Sequence, residues 1–439
     1  MRSVPKNLRA AALVVLLSAG GSTSGWGQAY APADSVTVVP GPQFKAGGLH
    51  RTFFGAHYRD LWTTPIRVPV LHPDRFGGGI KPTEKGGGQQ TKSLRFRSPD
   101  GREYQFRSLT KDPTAVLPPE LKHTVAADIL KDQMSAGHPA GALVVVPLLD
   151  AAGVLNAPPI LVQMGDDPSL GEFRAEFAGL LGTIEERPRE SASEGVTFAG
   201  ASDIVSSEDL IKKLDDEPRV GVDAQAFLLA RLTDVFLGDW DRHQDQWRWA
   251  LVETAGRRRW LPIPRDRDQA FVRYDGFFPA QARRVSPQVL NFGSDYGDIV
   301  GATWNGRDLD RRMLSGLERP VWDSIATLLT GRLTDEAISR AARRMPPEFF
   351  ARDGARLERA LRSRRDGLTK IAGKYYAMLA AETNVYGSDK GDEVRVLRGD
   401  GGTTVTLSRE GTEFFRLTFH AGETRDVRLY LQGGPDRLT

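Results

Sequence analysis

The chain has 439 residues, 40% of them hydrophobic and 26% charged, which is enough to bury the cores of more than one domain. It contains no cysteine, which excludes disulfides, thiolate metal sites, a thiol nucleophile and a lipidated cysteine. The formal net charge of +3 looks mildly basic, and where it sits along the chain decides what it means.

Arg2, Lys6 and Arg9 precede the apolar run Ala10 to Ala19, small residues follow, and Gly27-Gln28-Ala29 fits a small-x-small cleavage site. The run is about half the ~20 residues that a spanning helix needs. Residues 1–29 therefore read as a signal peptide, and the protein as exported, periplasmic or associated with the cell surface or outer membrane. That segment holds three of the 59 Lys and Arg and none of the 56 Asp and Glu, so the rest of the chain carries 56 of each sign. A nucleic-acid partner attracted by bulk charge loses its support, and none is expected.

Tyr30 to Pro82 is rich in Gly, Pro and aromatics and reads as extended chain with short strands. Gly86-Gly87-Gly88 then precedes two alternating runs, Ser93 to Arg97 and Tyr104 to Leu109, whose Pro99-Asp100-Gly101 junction predicts a β-hairpin. Pro118 to Met134 predicts a helix, with Leu121, Val125 and Ile129 four apart. The apolar runs Ala142 to Leu149 and Pro159 to Met164 suit buried strands. Ile184 to about Pro218 is polar and reads as an irregular connector. Gly221 to Leu237 reads as a helix with Leu228, Leu232, Val235 and Phe236 on one face, and Asp308 to about Ala381 repeats helical spacing. Within it the basic blocks Ala341 to Arg344 and Arg356 to Arg365 read as solvated faces. The runs Val394 to Leu397, Thr403 to Leu407, Phe414 to Phe419 and Val427 to Leu431 predict a small C-terminal β module.

Chemistry concentrates between 238 and 271. Gly238-Asp239-Trp240-Asp241-Arg242-His243-Gln244-Asp245-Gln246 and Pro264-Arg265-Asp266-Arg267-Asp268-Gln269-Ala270-Phe271 flank a predicted strand pair, Trp247 to Val252 and Arg259 to Ile263, which brings the two acid-rich loops together. A like-charge cluster needs a cation to neutralise it. One carboxylate orienting a hydroxyl, with an amide and a second carboxylate on Mg²⁺ or Mn²⁺, would make a phosphoryl-transfer site. Taken singly, each acid also fits a turn cap or an arginine partner. Trp240, Trp247 and Trp249 read as packing residues.

The Asp241-Arg242-His243-x-x-Gln246 loop resembles the Asp-Arg-His-x-x-Asn catalytic loop of phosphoinositide kinases and secretory-pathway Golgi casein kinases. Pro264 to Phe271 is similar to the Pro-Trp-Asp-x-Asp segment of CotH-type kinases, as are Lys111-Asp112-Pro113-Thr114 and Ser135 to Ala140 to the upstream CotH pattern, in which a strand follows. The chain is also similar to a region of large exported bacterial proteins that continue into a surface-antigen β-barrel.

The resemblance implies an α+β, two-lobe kinase-like fold: a small β-rich lobe within 30–165, a helical lobe over 166–385 carrying the catalytic and metal loops, and a β module over 390–439, shortened relative to those larger proteins. It implies Asp241 as the catalytic acid, with Arg242 and His243 in the catalytic loop and His243 structuring it. Gln246 and Asp266 or Asp268 become metal ligands, and Gly86, Gly87 and Gly88 a phosphate-covering loop. Arg107 or Lys111 supplies the phosphate cation, and Gln163 and Met164 face the adenine. Gln246 stands where the related loops carry Asn, one methylene shorter. ATP and Mg²⁺ or Mn²⁺ are the implied cofactors, and a protein, lipid or glycan hydroxyl the acceptor. A pseudokinase serving as an envelope module joined to an outer-membrane barrel is the alternative, and a metal-dependent phosphoesterase a third.

Overall fold

The computed structural model describes residues 34–86, 90–188, 198–218, 220–254 and 256–439. The expected signal peptide, and Gly87 and Gly88 of the glycine-rich loop, lie outside the described residues.

The N-terminal half is built on a seven-stranded sheet in the order β1-β2-β6-β7-β5-β4-β3. Its members are β1 (Ser35–Val38), β2 (Ile66–Leu71), β3 (Lys81–Gly86), β4 (Thr91–Arg97), β5 (Glu103–Lys111), β6 (Ile160–Met164) and β7 (Leu181–Arg187). The predicted hairpin is β4–β5: Leu94, Phe96, Tyr104 and Phe106 are buried while Arg95 and Arg97 point outward, the period-two pattern of a strand with one covered face. All neighbours are antiparallel except β2 and β6, which run parallel. Because β7 pairs with both β5 and β6, the sheet continues past residue 165 to Arg187, into the stretch expected to be irregular.

Three other expectations are corrected. The region before β3 also holds helix α1 (Gly48–Phe54). Helix α2 (Val125–Gln133) starts well after Pro118, since Pro118-Pro119 opens a separate 3-10 turn, and the Leu121, Val125 and Ile129 stripe faces solvent rather than the core. Ala142 to Leu149 is not a strand. It lies in helix α3 (Gly141–Ala152), so a helix rather than a strand follows Ser135 to Ala140. Seven of the eight residues of that run are buried; a helix covered on every side has no apolar period to display, and its β-branched valines mimic a strand.

The connector contains β8 (Asp203–Ser206) and α4 (Ser207–Asp216), capped by Ser206 through Asp209 N. Then comes α5 (Ala224–Leu237), started by Asp223 accepting from Ala226 N and stopped by Gly238 at φ +67°, a left-handed conformation that glycine adopts without penalty. The predicted pair β9 (Trp247–Thr254) and β10 (Arg257–Pro264) joins β8 in a second sheet. Helices α6 (Phe277–Ala282), α7 (Arg307–Leu314), α8 (Arg319–Arg332), α9 (Asp335–Ala342) and α10 (Ala355–Ala381) follow. Phe227 packs on Trp247 and Trp249, both fully buried, with centroids at 5.0 and 5.3 Å, which anchors the hairpin to α5.

The C-terminal module combines a parallel pair, β11 (Glu382–Tyr386) and β15 (Asp426–Tyr430), with a sheet of β12 (Glu393–Gly399), β13 (Gly402–Arg409), β14 (Thr412–Phe419) and β16 (Arg437–Leu438). Val385, Val394, Val405, Leu407, Leu417 and Phe419 form its own core. The chain is thus α+β: a β-rich sheet lobe, a helical lobe and a small C-terminal β module.

Candidate active site

The two acid-rich loops are the ends of the β9–β10 hairpin: 238–246 leads into β9, and 265–268 leaves β10. Arg242 fastens them. Its guanidinium, fully buried, donates to the carbonyls of Arg265 at 2.7 Å, Asp266 at 3.1 Å and Gln246 at 3.1 Å, and lies over the Trp247 ring. Arg265 N donates to Gln246 O at 2.8 Å, closing the same junction. Arg242 therefore acts on backbone; it positions both loops.

Beneath them lies a buried ion network of Arg231, Arg242 and Arg267 with Asp234, Asp239 and Asp310. Arg267 bonds both Asp234 and Asp239, while Arg231 bonds Asp234 at 2.7 Å and Asp310 at 2.7 Å. Three cations meet three carboxylates, so the charges balance. Burial opposes ionisation of Asp234, yet Arg267, Arg242 and Arg231 hold it below the usual carboxylate range. At Asp239 burial wins over Arg242 and Arg267 and pushes the carboxyl up to about 6. Asp239 thus belongs to the scaffold, as a partner of Arg242 and Arg267.

Asp241, Asp266 and Asp268 are not consumed by that network. Arg107 Nη1 donates to Asp266 Oδ2 at 2.6 Å, and the Lys111 ammonium pairs with Asp268. Sequence left two cations and two acids in competition; the fold matches them one to one. Burial raises the Asp266 carboxyl, but Arg107 and Lys111 outweigh it and bring it down to about 2. Asp266 sits at φ +52°, an uncommon conformation for a residue with a side chain.

These four residues line a cleft of about 130 Å³. Its floor comes from β5 and β7, including Thr183 and Glu185, and its opposite wall from Gly137 to Ala140 before α3, Gln133 of α2, and Tyr274. Burial drives the Glu185 carboxyl up, against the pull of Arg107 and Arg265. Tyr274 is pushed up to about 12 by burial and by the charge of Asp241, which is not itself a wall of the cleft. Asp241 Oδ1 accepts from the amide of Asn305 at 2.7 Å. Asn305 was invisible in the sequence: it lies 64 positions away in a turn with no motif.

The remaining expected residues divide. His243 holds its own loop, with Nδ1 accepting from Asp245 N at 3.3 Å and Nε2 lying 3.2 Å from the Gln246 amide nitrogen. Gln246 is thereby turned to His243, and it is not a wall of the cleft. Gly86 ends β3 opposite Ser93 and is not a wall of the cleft, and Asp112 N donates to Gln90 O at 2.7 Å beside the Lys111-Asp112-Pro113 corner. Asp112 caps this corner through Thr114 N. Gln163 and Met164 are not brought to the site. They occupy the end of β6 opposite Pro159, which does line the cleft; Met164 is buried in the sheet core, and Gln163 donates to Gly179 O. The floor is supplied by β5 and β7.

No protein-family description and no curated protein matches the chain. Among solved structures it is similar to the Helicobacter pylori proinflammatory kinase CtkA, with 11% identity, 67% of this chain and 95% of that chain covered, and a TM-score of 0.33. It is also similar to a Shewanella oneidensis MR-1 structure of the toxin–antitoxin system HipA, HipB and its operator DNA, with 15% identity, coverage of 67% and 68%, and a TM-score of 0.32. WaaP in complex with acyl carrier protein gives 16% identity, coverage of 66% and 88%, and a TM-score of 0.22.

Proposed function

We propose that this chain is an exported, atypical kinase-like phosphotransferase that moves a phosphoryl group from a nucleotide to a hydroxyl acceptor, in the periplasm or at the cell surface. The observation that carries the reading is the cleft in which two strand cations, Arg107 and Lys111, face two loop carboxylates, Asp266 and Asp268, on the same hairpin whose other loop carries Asp241. Cations placed to receive phosphate oxygens beside acids able to hold a divalent ion are the minimal equipment for phosphoryl transfer.

The donor set suits Mg²⁺ or Mn²⁺, since the acids offer hard oxygen ligands and the chain has no thiolate. Asp266 and Asp268 are the residues that would hold the ion, which would supply charge neutralisation for the phosphates. Asp241, its orientation fixed by Asn305, is the group to accept or orient the acceptor's proton. Arg107 and Lys111 each neutralise an acid in the free protein and carry the charge that a nucleotide's phosphates require.

Stabilisation by ATP with Mg²⁺ in a thermal melt, and transfer of label from γ-labelled ATP, test this directly. Wild type is expected to show both. Asp241→Ala is expected to keep the stabilisation and lose transfer, while Asp268→Ala loses both. No effect of ATP and metal on melting, with no labelled product, would sink the enzyme reading. That result favours the second reading, a non-catalytic envelope module, for which the Gln246 amide engaged with His243 is the supporting observation.

A further inference from the structure

Beside the cleft, two short helices expose an aromatic cluster. Phe53 of α1 meets Phe277 and Phe278 of α6 at centroid distances of 6.1 and 5.8 Å, Phe54 meets Phe278 at 5.1 Å, and Phe277 and Phe278 touch at 5.5 Å. Phe53, Phe277 and Phe278 are 39%, 52% and 47% exposed, and Leu49, one turn before Phe53, is 76% exposed. Contiguous large apolar side chains left in water mark an interaction face.

Charge identifies what covers it. The sequence has no Asp or Glu from Ser35 to Arg59 or from Gly276 to Ser294, the two segments that build the face, although the chain after residue 29 is balanced overall. Lys45 and Arg284 are exposed on these segments and, among the described residues, make no ion pair. The acids that border the face are all engaged: Asp60 with Arg51 at 2.7 Å, Asp132 with Arg59 at 2.6 Å and His50 at 3.1 Å, and Asp275 with Arg273 at 2.8 Å. Exposed phenylalanines with a cationic rim and no free carboxylate match the boundary of an anionic lipid surface, where rings enter the acyl edge and Lys and Arg meet headgroup phosphates. A second protein would need a complementary shape; a bilayer needs only this composition.

We infer that the α1–α6 face docks peripherally on an anionic lipid surface. The face adjoins the cleft: Gln133, a cleft wall, donates to Phe54 O at 3.1 Å, and Tyr274, another wall, is three residues before Phe277. Docking sets the cleft mouth at the lipid–water boundary, where a hydroxyl acceptor held in or on the membrane would be presented. The docking itself does not depend on phosphoryl transfer.

The absence of cysteine gives a clean test. Full-length Phe278→Cys and Leu397→Cys, the latter an exposed position in the C-terminal module, are labelled with an environment-sensitive fluorophore. They are mixed with vesicles of phosphatidylcholine alone or with an equal share of phosphatidylglycerol. A blue shift at position 278 on anionic vesicles only, with none at 397, is expected. Because the signal is local, an apolar leader that tethers the chain by itself gives no shift at 278. Lys45→Glu and Arg284→Glu should each weaken vesicle binding at least roughly fivefold, and Phe53→Ser with Phe277→Ser should abolish the shift while leaving the melting temperature in place. No shift at 278 on anionic vesicles overturns the inference. So does a shift that appears without lipid as protein concentration rises, which assigns the face to a second copy.

Discussion

At the scale of single residues, Arg242 shows how much of an apparent catalytic motif is structural. It lies between two loops, sees Asp234 at 3.4 Å and Asp239 at 3.7 Å, and bonds three carbonyls. Removing it leaves three buried carboxylates with two cations and takes the donor from three carbonyls, so Arg242→Ala is expected to cost about 3–5 kcal/mol in denaturant unfolding. Arg242→Lys keeps the charge but not the fork, and is expected to recover only part of that loss. Asp241→Asn should instead leave stability nearly unchanged, since the Asn305 contact is half-buried and neutral amides can replace it.

His57 carries a pH dependence. Burial lowers it from 6.5 to about 4, against the pull of Asp275 and Asp132 and with Arg59 adding to the lowering. The folded state therefore resists protonation that the unfolded chain accepts near 6.5. Its contribution is whole above that value and is lost as pH falls from about 6.5 to about 4, worth roughly 3 kcal/mol across the window. His57→Asn, chosen because Asn tolerates the φ of +48° there, should flatten unfolding free energy over this window when measured by urea titration at several pH values.

At the scale of elements, the β9–β10 hairpin and its two loops were legible because alternation, turn and acid clusters all pointed the same way. Helix α3 was not, for a helix buried all round hides its period. Gln163 and Met164 rest on the resemblance alone, and the end of β7 falls within the stretch that reads as connector; its polar alternate residues Thr183 and Glu185 line the cleft and so give the strand a loop-like composition. Arg364, within a block read as a solvated basic face, is buried and donates to Val235 O and Phe236 O at the end of α5, a partner no local pattern announces. The closeness of β7 to β5 is testable at Gly182. A Cβ there would lie 2.2 Å from Arg107 O and 2.5 Å from the Phe106 ring, so Gly182→Ala is expected to cost about 1–3 kcal/mol in chemical unfolding and to weaken ATP stabilisation through Arg107.

At the scale of the molecule, one hydrophobic cluster runs from Phe44 and Ile66 of the sheet lobe through α3 and α5 to Leu379, so the sheet and helical lobes share a core. The C-terminal module keeps a separate one and touches the rest through polar ties: Asp389 N to Asp215 O at 2.7 Å, and Arg409 to Glu217 at 2.9 Å. Leu407→Ala, a deletion costing about 2–5 kcal/mol in a packed core, is expected to lower a module transition in calorimetry while the main transition stays where it is.

The pairing of Arg107 with Asp266 and Lys111 with Asp268 has a mechanical side. The two cations are four residues apart on a strand, up to roughly 13 Å of backbone, while the two acids are two residues apart, at most about 7 Å. The mismatch is closed by the long side chains converging on the short ones. Reach is thus divided unequally: the carboxylates sit on short side chains at the end of the hairpin, and the cations span the gap on long ones. A phosphate chain arriving between them would compete with the two acids for the same two cations, whose charges lie at the tips of long side chains in the cleft.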